Sequence, residues 1–314
     1  MKITTITPLA LLLCIGSSAF AQPAASLAAV GYTGPGFPLP VAPGQVVTLF
    51  FYGVAPFADG QLRFAQATNV PLPTTLAGLS VHIAQQPLSF PIFAVRQQNE
   101  CDQDLAGNLG CLLTSIRVQV PIELLATTEM ILNVNGQTSR GFAVQPIADN
   151  SHVLTSCDVS WDIRFTTSCS RLLFHADGNA VSESDPARRG ETIIVYAFGL
   201  GQTSPRVPNG AAPSGAIFKD FAGHPRVRAR FLSYLSTELT AIPRAFSQED
   251  ADDPGSPIAF AGLTPGQVGL YQLNIPVPQT LQPQAPCSKV VLGNMALHIT
   301  TSQGTESIAF CLQP

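Results

Sequence analysis

The feature that most constrains this chain is a repeated order of short β-patterned segments. Residues 43–53, PGQVVTLFFYG, match residues 189–199, RGETIIVYAFG. Each is a Gly turn, a polar residue, a run of β-branched and aromatic residues, then Gly. Next, IRVQVP at 116–121 matches YQLNIP at 271–276, alternating apolar and polar up to a proline. Last, 131–134 with 141–144 matches 296–299 with 307–310, each a strand pair around a tight turn. Asn135-Gly136 is a strong signal for a type I′ hairpin. Three matches in one order define two copies.

Period-two alternation between Gly/Pro turns predicts strands that bury one face, and no segment of a dozen residues carries a helical period. The 27 Pro and 25 Gly are spread along the chain, which suits many turns and few long helices. The fold class is therefore all-β, two tandem immunoglobulin-like β-sandwiches. Residues 40–147 form the first domain and 148–314 the second, each expected to build its own core. Residues 22–39, rich in Gly and Pro, read as a leader segment.

The first 21 residues read as an export signal. Lys2 precedes a short apolar run at 9–15, and Ala19-Phe20-Ala21 fits the small-x-small cleavage pattern. The apolar run is too short to span a bilayer, and no other stretch approaches the roughly 18 apolar residues a membrane helix needs. The expected destination is the extracellular space or cell surface, with the periplasm as the alternative. A lipoprotein anchored on Cys14 is the competing reading, disfavoured because Leu13 is not small.

Cysteine usage agrees. Without Cys14, six of the seven cysteines remain, in neighbouring pairs. Sequential pairing is expected: Cys101 with Cys111, Cys157 with Cys169, Cys287 with Cys311. A cysteine metal site is disfavoured, because no CxxC occurs and no His stands at ligand spacing from a pair.

Here the residues carry a family resemblance. LPTTLAGLSV at 72–81 resembles the LPxTLxGxxV strand of the Solibacter-type uncharacterised C-terminal domain family, found in exported acidobacterial proteins. DPARRGE at 185–191, FGLG at 198–201 and LTPGQVGLYQLNIP at 263–276 resemble further motifs of that family. In the first copy, Arg117 and Gln119 stand where the family carries Gln and Asn. The resemblance implies an extracellular tandem Ig-like unit and no known activity.

Candidate chemistry is sparse. With 16 Lys+Arg against 20 Asp+Glu, no basic stripe is available for nucleic acid. GxSxG, HExxH and P-loop signatures are missing from the sequence. The five histidines, His82, His152, His175, His224 and His298, are scattered. A hydrolase triad assembled in space remains the least favoured alternative. Residues 102–108 open like a calcium loop, and 249–253 hold four carboxylates in five residues. Both read first as solvated loops, with calcium the alternative. No cofactor is expected.

His175-Ala176-Asp177-Gly178 is first a hairpin turn and only second a catalytic pair. The segment bracketed by Cys157 and Cys169 holds Trp161, the single tryptophan, and Phe165. These two are the candidate binding residues, packing onto their own domain being the alternative. The function expected is a secreted, non-catalytic binding or structural role toward an extracellular protein or glycan. A carbohydrate-binding module is the alternative.

Overall fold

The computed structural model describes residues 25–31, 38–100, 109–160, 169–215, 217–219, 227–236, 242–245, 255–281, 283 and 285–314. The export signal expected at residues 1–21 lies outside them. The first half contains β1 (Ser26–Val30), β2 (Leu39–Val41), β3 (Val46–Tyr52), β4 (Phe64–Gln66), β5 (Leu79–Ile83), β6 (Ile92–Asn99), β7 (Leu112–Gln119), β8 (Thr128–Val134), β9 (Gln137–Thr138) and β10 (Phe142–Pro146). The second contains β11 (His152–Val153), α1 (Ser156–Ser160), β12 (Phe174–His175), β13 (Thr192–Phe198), β14 (Thr203–Ser204), β15 (Ile217–Lys219), β16 (Arg228–Ser236), β17 (Ile242–Ala245), β18 (Phe260–Leu263), β19 (Tyr271–Pro276), β20 (Gly293–Thr301) and β21 (Gly304–Phe310).

The chain is all-β, as two immunoglobulin-like sandwiches. In the first, one sheet runs β1-β3-β7-β6-β4 and the other β2-β10-β8-β5. Apart from the extra edge strand β4, which pairs with β6, those are the A-B-E-D and C-F-G strands of the immunoglobulin pattern, with the first strand divided between the sheets. Its second part, β2, pairs parallel to β10, Val41 opposite Pro146. In the second sandwich the corresponding orders are β11-β13-β19-β18 and β16-β20-β21. There the parallel contact shrinks to one bridge, Ala187 with Leu312, and β17 occupies part of the β21 edge.

Alternation explains the cores. On β5, Leu79, Val81 and Ile83 point inward and are fully buried. They meet Val47, Leu49 and Phe51 of β3 and Ile116 and Val118 of β7. The second core is separate, built on Ile193, Val195, Leu273, Ile275, Leu297 and Ile308. Two turns follow from their residues. Asn135 and Gly136 both have positive φ, 49° and 87°, as a type I′ hairpin requires. Gly44 and Gly190, opening the matched β3 and β13, share φ of 78° and 79°.

The structure departs from the sequence reading in two places. The leader carries β1, which pairs with β3, and Ala25 joins the core. The matched strands also pair in different registers. Val46 faces Gln119, whereas the matching Thr192 faces Pro276, two residues beyond the matching Asn274. Pairing in the second copy continues past its proline, because Val277 N–H donates to Glu191 O. A slide of two residues keeps every inward side chain inward, so the pattern in the sequence is blind to it.

Two disulfides are formed, Cys157–Cys169 and Cys287–Cys311, closing separations of 12 and 24 residues. Cys111 is also disulfide-bonded, and its expected partner Cys101 lies outside the described residues. Loops this short are worth about 3 kcal/mol each in the chain-entropy account. Peptide mapping of unreduced protein should recover all three sequential pairs. A peptide joining Cys101 to Cys287 is the result that would refute this pairing.

Candidate functional site

The most unusual local construction lies between β3 and β4. Arg63 is fully buried, yet it forms no ion pair with a carboxylate among the described residues. Its guanidinium is spent on the backbone: Nε donates to Ala55 O at 2.8 Å, Nη2 to Pro56 O at 3.3 Å, and Nη1 to Ala77 O. Its Cζ lies 4.7 Å from the centre of the Phe57 ring, a cation–π contact. Burial pushes its pKa down. Gln97, also buried, adds a second anchor: Oε1 accepts from Arg63 N–H and Nε2 donates to Val54 O at 2.8 Å. Two inward polar side chains thus hold a loop that has no ladder of its own.

The same anchor explains the glycine of the LPTTLAG motif. Gly78 has φ of +73°, and a Cβ there would lie 2.3 Å from Asn135 Oδ1 and 3.0 Å from Arg63 Nη1. A side chain at 78 would have to displace the Asn135 amide, and its backbone would be strained at that φ.

With Arg63 turned in, its neighbours turn out. Leu62 is 43 % exposed and Phe64 73 %, with Phe57 at 36 %. Strand β4 is the last in its sheet, so the backbone of Phe64 and Gln66 borders an open edge. Phe57, Leu62 and Phe64 are thus three exposed apolar side chains on one anchored segment.

The second candidate is the loop closed by Cys157–Cys169. Trp161 and Phe165 lie outside the described residues, but the loop's entry is defined. Thr155 and Asp158 form a reciprocal capping box at the start of α1: Thr155 N–H donates to Asp158 Oδ2 at 2.7 Å, and Asp158 N–H to Thr155 Oγ1 at 3.4 Å. His152 Nε2 meets the same Oδ2 at 2.8 Å. Burial, with Glu306 nearby, raises the Asp158 carboxyl to about 7. Thr155-Ser156-Cys157-Asp158 is a capping signature legible in the sequence.

The histidines divide by role. His175 has both ring nitrogens engaged, Nδ1 with Glu191 Oε2 at 3.1 Å and Nε2 with Asp185 O at 3.2 Å. Neither is left for chemistry. Asp177 accepts from Asn179 N–H across Gly178, whose φ is 90°, so Asp177-Gly178 is a turn. His82 and His298 sit half-buried on β5 and β20, and His224 lies outside the described residues. Residues 102–108 and 249–253, the calcium alternatives, also lie outside. Among the described residues, no group of three or more His, Cys, Asp or Glu could hold a metal ion. No helix among them is long and apolar enough to cross a membrane.

His175 gives a pH prediction. Burial disfavours its charge, but Glu191 and Asp185 outweigh that and raise its pKa above 6.5. Its contribution to stability is therefore complete below 6.5 and is lost as pH rises through the higher folded value. Between about pH 6 and 8, His175→Gln should flatten the fall in melting temperature. An unchanged slope in the variant would show that other groups set it.

No protein-family model matches the chain. No curated protein sequence matches it either. Among solved structures, it is similar to the adhesin InvE of Yersinia pseudotuberculosis at 13% identity, over 91% of this chain and 58% of that one, with a TM-score of 0.20. This chain thus spans less than two thirds of the InvE chain, and a likeness that slight carries no argument about function.

Proposed function

We propose that this chain acts outside the cell as a non-catalytic binding protein, and that the segment from Phe57 to Phe64 makes contact with an extracellular protein. One observation carries this reading: Phe64 is 73 % exposed beside an Arg63 that is completely buried. The fold holds the segment rigid while leaving its apolar side chains in water. A restrained segment loses little entropy on contact, and a projecting aromatic is a common anchor in interfaces. The expected export signal, the disulfides and the motif resemblance to exported acidobacterial domains support an extracellular setting.

The glycan alternative rests on the Cys157–Cys169 bridge, which restrains the loop bearing Trp161 and Phe165. Both readings are tested together. The mature chain is screened against purified surface and matrix proteins and against a glycan array. Phe64→Glu should weaken protein binding by about fivefold or more, roughly 1 kcal/mol, with the melting temperature unchanged. If Trp161→Ala abolishes binding and Phe64→Glu does not, the contact lies on the bridged loop. Turnover of generic ester, peptide or glycoside substrates well above background would defeat the non-catalytic reading.

A further inference from the structure

The outer face of β7 is occupied by the second sandwich. Arg117 lies with its Cζ 5.8 Å from the centre of the Phe93 ring and 5.3 Å from that of Phe198. Phe93 belongs to the first sandwich and Phe198 to the second. Arg117 Nη1 also points to Asp158 O at 3.5 Å, at the start of α1. Two residues along the same face, Gln119 Oε1 accepts from Gly210 N–H at 2.7 Å. The other side of that glycine is also held, because Leu72 N–H donates to Gly210 O at 2.9 Å. Gly210 has φ of +72°, and a Cβ there would lie 3.0 Å from Leu72 N, so the fit excludes a side chain.

Adjacent contacts extend the seam. Asn209 Oδ1 accepts from Ile122 N–H at 2.9 Å, and its Nδ2 donates to Glu123 Oε2 at 2.6 Å. At the linker, Asn150 N–H donates to Gly199 O, and Asn150 Nδ2 to Gln45 Oε1 and Pro40 O. The connection is thus hydrogen-bonded to both sandwiches. A flexible tether would leave such groups to water.

The chain carries its own control. Arg117 and Gln119 correspond in the matched motifs to Gln272 and Asn274. Those two bond each other, Gln272 Nε2 to Asn274 Oδ1 at 2.6 Å. On β19 the pair bonds within its own strand. On β7 the same two positions reach across to the next domain.

We propose that Arg117 and Gln119 are an interdomain latch that makes the two sandwiches one rigid body. The loops of both domains are then presented in one fixed relative orientation. The test is the full mature chain carrying R117Q and Q119N together, which installs the second copy's self-satisfied pair. The wild type should melt in one transition and scatter X-rays as a single compact particle. The double variant should melt in two transitions and show an increased maximum dimension, with its β-sheet circular dichroism intact.

Asn209→Ala touches neither core and should shift scattering in the same direction, by less. If the double variant fails to fold, Asn209→Ala decides by the same measurement. A double variant with wild-type melting and scattering refutes the latch. So does a wild type that already melts in two separated steps.

Discussion

Replacing Arg63 with methionine should destabilise the first sandwich by about 2–3 kcal/mol, beyond an ordinary surface change. The side chain is fully buried, and its guanidinium serves the carbonyls of Ala55, Pro56 and Ala77. Methionine keeps much of the volume and removes every donor. Each of these half-buried carbonyls left without its donor costs about 1 kcal/mol, partly offset because a buried charge is also removed. Arg63→Lys should recover only part of the loss, since one ammonium cannot span three carbonyls that a planar fork reaches together. Urea unfolding monitored by circular dichroism measures both. A loss under about 1 kcal/mol for methionine would mean that the loop keeps its shape without the guanidinium.

The same substitution connects stability to the proposed contact. Phe57 lies against the guanidinium, and Leu62 and Phe64 point outward because Arg63 points inward. Loosening the anchor frees the segment, so binding should weaken even where the remaining domain stays folded.

The sequence exposed the parts of this design that obey a period. Alternation on β7 and β19 marked the core-facing side chains, and Gly44, Gly190 and Asn135-Gly136 marked turns because those conformations are costly for other residues. The bridged cysteines were legible from spacing. What stayed hidden follows no period. Arg63 looks like one more polar residue, because nothing local says that it will be buried against carbonyls from residues 8 and 14 positions away. Arg117 and Gln119 showed as departures from a motif, but their partners Phe198 and Gly210 lie about 80 to 90 residues along the chain. The strand β1 carries little signal because its sequence, SLAAV, is short and bounded by a Gly/Pro run. A register slide of two residues leaves the alternating pattern unchanged, so only backbone pairing reveals it.

Gly199→Ala should be the other severe substitution, costing about 3 kcal/mol or more and lowering the melting temperature by on the order of 10 °C. Two separate penalties add there. The backbone has φ of +72°, where any side chain is strained by roughly 1–2 kcal/mol. The new Cβ would also lie 2.2 Å from Asn150 O, which belongs to backbone and not to a flexible side chain. Asn150 cannot withdraw without cost, since its N–H bonds Gly199 O at 2.7 Å and its side chain bonds Gln45. Gly60→Ala separates the two penalties. Gly60 has φ of +81° but nothing within 4 Å of its Cβ position, so it should lose only the conformational part, about 1 kcal/mol. Equal losses at the two sites would show that the linker yields to the methyl group, and that the contact between Asn150 and Gly199 is softer than its geometry implies.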